Sequence, residues 1–139
     1  MFERILLAVD GSDHALRAAQ VAADLARVMK SELRVVAAYD PIPPLLGEPH
    51  LQAVINARLD GAQAILHKTV EVIGDLPEEI HVEMLEGNPA EVIIDVAKTR
   101  RSNVIIMGSR GLGRLAGLVL GSTSQKVVSH APCPVLIVR

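Results

Sequence analysis

At 139 residues the chain corresponds to about one domain, large enough to bury about two-thirds of its unfolded surface. Lys and Arg number 14 against 16 Asp and Glu, a net charge of −2, and 50% of residues are hydrophobic. This excludes a general nucleic-acid binder, which carries a basic surplus, and a disordered chain, which lacks so much apolar side chain. One Phe, one Tyr and no Trp leave no stacking platform for single-stranded nucleic acid. Mean hydropathy is +0.33, yet no apolar run approaches the roughly 18 residues of a membrane span, because Asp10, Arg110 and Arg114 interrupt the best candidates. Glu3 and Arg4 precede a short apolar run that no small-residue cleavage site follows, so the N-terminus does not read as a signal peptide and a cytoplasmic location is expected. The single Cys133 forms no internal disulfide.

Strand-length apolar runs alternate with helix-period stretches, the pattern of an open parallel sheet covered on both faces. The first strand is read over Arg4 to Asp10. Ser12 then caps a helix to about Lys30, rich in alanine for close approach to the sheet, with Val21, Leu25 and Val28 on one stripe. The second strand covers Glu32 to Tyr39. Asp40 to His50 holds Pro41, Pro43, Pro44, Gly47 and Pro49, a density that forbids regular structure. This loop follows the carboxyl end of a strand, so it is either a cover for a site there or a plain irregular connection. From about Leu51 to Ile73 a helix is predicted with Leu59, Ala62, Leu66, Val70 and Ile73 on its core stripe, ended by Gly74. A third strand, Glu79 to Glu86, precedes a helix capped by Asn88, opened by Pro89 and running to about Thr99. The fourth strand is Asn103 to Gly108, the last helix Ser122 to His130, and the fifth strand Pro134 to Val138. Val104 to Met107 and Val135 to Val138 are continuously apolar, as in strands buried on both faces.

The segment from Gly108 to Ser124 carries the chemistry. Glycines let backbone amides approach a phosphate without an intervening Cβ and accept the dihedrals of an anion-binding nest. The amides of Ser122, Thr123 and Ser124 open a helix N-terminus, where the dipole favours anions and the hydroxyls add donors. Arg110 and Arg114 bring fixed positive charge, and Lys126 is placed to assist from the helix. No Walker motif is present, since Gly121-Ser122-Thr123-Ser124 lacks the following lysine and hydroxyl. Gly111-Leu112-Gly113-Arg114-Leu115-Ala116 matches a dinucleotide pattern but opens no helix.

Gly108, two residues, Gly111, nine residues, then Gly121-Ser122 resembles the nucleotide-loop signature of the universal stress protein family, in its ATP-binding branch. Ile5-Leu6-Leu7-Ala8-Val9-Asp10-Gly11-Ser12 is similar to that family's opening strand. Gly121 to Val127 and Ala131-Pro132-Cys133-Pro134-Val135 are similar to its closing helix and strand, so the likeness spans essentially residues 1–139 as one domain. The resemblance implies a Rossmann-like α/β fold related to the adenine nucleotide alpha hydrolases, with sheet order 3-2-1-4-5, and ATP at the carboxyl ends of strands 1 and 4. It also implies a homodimer and a role in stress tolerance rather than efficient catalysis. Position by position, it sets Ala8, Val9 and Asp10 beside the nucleoside, Ala38 in the adenine pocket and Met107 and Gly108 at the start of the phosphate side. Arg110, Gly111, Gly113, Arg114, Gly121, Ser122, Thr123 and Ser124 complete that side. Thr123 stands where an aliphatic residue is common, which leaves the backbone contact intact.

Asp10 is either a ribose or Mg²⁺ contact or the support of the Gly11-Ser12 turn. With a nucleotide-bound Mg²⁺ it would serve the alternative function, a slow ATP hydrolase or phosphotransferase. A response-regulator phosphoacceptor is disfavoured, because the first strand lacks an acidic pair and the fifth has no lysine. His14, His50, His67, His81 and His130 are scattered and read as surface or core-edge residues, and Cys133 as structural. No Ser-His-Asp set can be assembled from spacing alone. In the implied order, Pro134 to Val138 forms an apolar edge strand, which pairing with a second copy would cover.

Overall fold

The computed structural model describes residues 1–110 and 120–139. The elements in chain order are β1 (Arg4–Val9), α1 (Asp13–Met29), β2 (Glu32–Tyr39), α2 (His50–Ile73), β3 (Ile80–Glu86), α3 (Pro89–Thr99), β4 (Val104–Gly108), α4 (Ser122–His130) and β5 (Val135–Val138). The strands form one parallel sheet in the order β3-β2-β1-β4-β5, the implied topology. Leu7 of β1 pairs with Val35 of β2 on one side and Ile106 of β4 on the other. Both β1, from Ile5 onward, and β4 are buried throughout, which explains their unbroken apolar sequence: each face meets a helix layer. Val9 ends β1, and Asp10 turns out of the sheet.

Alternation along the strands builds two cores. Ile5, Leu7, Val9, Leu33, Val35 and Ile106 face α1 and α2. Leu6, Ala8, Val36, Ile105 and Met107 face α3 and α4. Ser12 caps α1, its hydroxyl accepting the Ala15 N–H at 3.1 Å, and Lys30 closes it in the left-handed region at φ 53°. The inward stripe of α1 differs from the expected one. Ala15, Ala18, Ala19, Ala22, Ala23 and Ala26 form the buried face, while Val21 and Leu25 lie at its margin and Val28 is 79% exposed. A helix pressed over the central strands with α2 alongside leaves room only for methyl groups, so size rather than hydrophobicity selects the core face. On α2, Ala62, Leu66 and Ile73 are buried as expected and Leu59 is half-buried, but Thr69 takes the place expected for Val70. Donation of the Thr69 hydroxyl to the Ile65 carbonyl at 2.8 Å satisfies it inside the helix and lets it be buried.

Connections from β1 and β4 leave in opposite directions. The first leads to α1 on one face and the second to α4 on the other, so a crevice opens between the two strand ends. The proline-rich loop between β2 and α2 is held by side chains of α2 and of the end of β3. Arg58 of α2 donates to the carbonyls of Asp40 and Pro41, and Ile42 N–H donates to the Glu86 carboxylate at 3.0 Å. The loop feeds α2, which packs on the α1 face.

Candidate functional site

A cavity of about 240 Å³ lies at the carboxyl ends of β1 and β4. Ala8, Val9 and Asp10 line it from β1 and the turn that follows, Met107 and Gly108 from β4, and Val36 and Ala38 from β2. Ser12 and Ala15 of the α1 start, Pro89 and Ile93 of α3, Arg110, and Gly121 to Ser124 are the other wall residues among those described. The structure therefore brings the residues Ala8, Val9, Asp10, Ala38, Met107, Gly108, Arg110, Gly121, Ser122, Thr123 and Ser124 around one space. Gly111, Gly113 and Arg114 lie outside the described residues. The proline-rich loop, expected either to cover a site or merely to connect, contributes no lining residue.

Three helix N-termini border the cavity, and their capping differs. At α1, Ser12 caps Ala15, and Asp10 Oδ1 accepts the Ser12 N–H at 2.9 Å. At α3, the Asn88 side chain accepts the Glu91 N–H at 3.3 Å. At α4, Gly121 occupies the N-cap with no side-chain hydrogen bond. The first intrahelical bond there is Gln125 N–H to the Gly121 carbonyl at 3.0 Å, which leaves the amides of Ser122, Thr123 and Ser124 without an intrahelical acceptor. They stand at the positive end of the helix dipole. An anion at such an end gains about 0.3–1 kcal/mol from the dipole alone when exposed, and up to about 2 kcal/mol when partly buried.

The side chains divide their duties more sharply than spacing alone conveys. Asp10 both supports its turn and lines the cavity, so the two readings of it are compatible. Ser124 is 2% exposed and donates its hydroxyl to the Ser109 carbonyl at 2.9 Å, with the Gly108 carbonyl at 3.3 Å, so toward the cavity it offers its amide rather than a hydroxyl proton. Lys126, expected to assist, instead pairs with Glu91 of α3 at 3.5 Å on the exposed surface. Cys133 is half-buried, and desolvation pushes its thiol up from the ordinary range, partly offset by the backbone hydrogen bond with Ile105.

Sequence reasoning missed Val36, Pro89, Ile93 and Ala15 as wall residues, and knew Ser12 only as a cap. Their place depends on which strands and helices become neighbours, and spacing carries no sign of that. It also missed a pairing across 95 positions: His14 Nδ1 lies 2.7 Å from Ser109 Oγ. Ser109 is 2% exposed, and neither residue lines the cavity.

Fold and cavity together define a doubly wound α/β protein with a crevice at its topological switch point, bordered by a helix N-terminus that has no side-chain cap among the described residues. A model of the Universal stress protein family matches residues 1–139, and the chain belongs to that family. It is 48% identical over 139 residues to the "Universal stress protein in QAH/OAS sulfhydrylase 3'region" of Thermus aquaticus, covering 100% of each chain. The universal stress protein UspA from Lactobacillus plantarum superposes with a TM-score of 0.87 at 28% identity, over 99% of this chain and 98% of that one. The universal stress protein from Archaeoglobus fulgidus, solved in complex with dAMP, shares the fold with a TM-score of 0.76 at 24% identity over 100% of both chains.

Proposed function

We propose that the protein binds ATP in this cavity and acts as a nucleotide-dependent regulatory protein of the stress response, its occupancy changing conformation or partner choice. The observation that carries the reading is the first turn of α4, whose Ser122, Thr123 and Ser124 amides have no intrahelical acceptor and no side-chain cap among the described residues. Those amides and Arg110 suit a phosphate chain, while Ala8, Val36, Ala38, Ile93 and Met107 form an apolar wall suited to a base. Asp10 keeps one carboxylate oxygen beyond its bond to Ser12, available for a ribose hydroxyl or for Mg²⁺ carried in on the nucleotide. The dAMP complex of the Archaeoglobus fulgidus protein supports an adenine nucleotide as ligand of this fold. The net charge of −2 opposes a polyanion only weakly, because screening confines charge effects to about 8 Å at physiological ionic strength, inside which the α4 amides and Arg110 dominate.

The test is calorimetric titration with ATP and Mg²⁺. Saturable heat is expected in the wild type, and its loss in Gly121→Leu with an unchanged circular dichroism spectrum. Silence at millimolar ligand would remove the reading, and undiminished affinity in Gly121→Leu would remove the phosphate assignment. Multiple-turnover phosphate release that disappears in Asp10→Ala would instead establish the hydrolase or phosphotransferase alternative. We further propose a cytoplasmic homodimer paired through β5.

A further inference from the structure

Ser109 follows β4 directly and joins three parts of the chain. Its N–H donates to the Val138 carbonyl at 2.8 Å in β5, and its carbonyl accepts the Gly121 N–H at 2.7 Å as well as the Ser124 hydroxyl. The glycine-rich segment leaves at Arg110 and returns at Gly121, so the Ser109 carbonyl closes its neck. The Ser109 hydroxyl points the other way, to the imidazole of His14 in the first turn of α1. Gly108 lets that turn approach closely: a Cβ there would stand 2.7 Å from the His14 Cβ.

We infer that His14 is a positioning residue for the phosphate-binding turn, acting through Ser109. The inference rests on the nucleotide reading above. The two walls of the cavity belong to different elements. Asp10 and Ser12 are tied to α1 through the Ser12 cap, and the start of α4, which carries the amides of Ser122 to Ser124, is tied to the Ser109 carbonyl through the Gly121 N–H and the Ser124 hydroxyl. The His14–Ser109 bond couples one wall to the other from behind, outside the cavity. Binding geometry holds to within about 0.5 Å only when such supporting contacts lock it. Either the hydroxyl donates to Nδ1 or Nδ1–H donates to the hydroxyl, so both tautomers maintain the brace.

The test compares His14→Ala, Ser109→Ala and His14→Asn, the last because an asparagine side chain sets a polar atom near the place of Nδ1. Amide hydrogen exchange on the nucleotide-free protein reads Gly121, with Val35 and Val36 of β2 as internal reference, and calorimetry reads ATP affinity. In His14→Ala and Ser109→Ala, exchange at Gly121 is expected to quicken about tenfold, the scale of one lost hydrogen bond, with the β2 amides unchanged and ATP affinity lowered by a similar factor. His14→Asn is expected to restore both. Unchanged Gly121 exchange in His14→Ala, equal acceleration at Val35 and Val36, or no rescue by His14→Asn would overturn the inference. A wild type that ignores ATP while the exchange pattern holds would fault the nucleotide reading and leave the brace standing.

Discussion

Gly108 ends β4 where the chain can carry no side chain. A Cβ built there meets the His14 Cβ at 2.7 Å, the His14 carbonyl carbon at 2.9 Å and the Ala15 nitrogen at 3.0 Å, and two of those are backbone atoms that cannot swing aside. Gly108→Ala is therefore expected to cost about 1–3 kcal/mol, read as a lower urea midpoint at unchanged slope. Wild-type stability in that variant would mean that α1 does not press on the strand end as described. The sequence marks Gly108 as a glycine of a nucleotide loop, yet the atoms that leave no room for a side chain there belong to His14 and Ala15 of α1. Asp10 shows the same duality, since its role as turn support and its place in the cavity wall are both realised. Ser124 was legible as a residue of the site, but the commitment of its hydroxyl to the strand end was not, because the acceptors are carbonyls 15 and 16 positions away.

Among the elements, α1 and α4 differ most in what holds them. The first has 17 residues, a serine cap, an acidic first turn and a face of buried alanines, so local propensity and packing agree. Ala22 is fully buried on that face. Ala22→Leu should overpack the contact with the sheet and cost about 1–3 kcal/mol in chemical denaturation, whereas Val28→Ala, at an exposed position, should stay within about 0.5 kcal/mol. The reverse order would restore the Val21, Leu25 and Val28 stripe that hydrophobicity favours. By contrast, α4 has 9 residues, no side-chain cap, and only Ser124 and Val127 buried. So short a helix is marginal on its own, and the hydrogen bonds from Ser124 to the end of β4 fix its start. The start of α4 is thus one that the tertiary structure supports.

At the level of the whole molecule, the two sheet edges are unequal. On β3, where Val82 and Met84 are exposed, His81 and Glu83 alternate with them and Glu86 ends the strand, and Glu83 joins Arg34 and Arg100 in an ion-pair cluster on the α3 face. Charge of this kind blunts an edge against pairing. The other edge, β5, reads Val-Leu-Ile-Val, with Leu136 40% exposed and Val128 of the neighbouring α4 48% exposed. A dimer through β5 is the expected state in sedimentation velocity, and Leu136→Lys should shift it toward monomer without unfolding the chain. A wild type that sediments as a monomer at every concentration tested would refute the pairing.

The sequence by itself determined the strands and helices to within a residue or two and the coverage of both sheet faces. These are properties of local pattern: apolar runs, capping residues, prolines and glycines act through near neighbours along the chain. Family likeness then supplied the strand order, which the structure bears out. Only the tertiary structure decided that alanines rather than Val21, Leu25 and Val28 face the sheet, that the proline-rich loop lends the cavity no lining residue, that Lys126 is held by Glu91 and that His14 meets Ser109. Each depends on the distance between elements far apart in sequence, and close packing sets that distance only when all the layers are assembled.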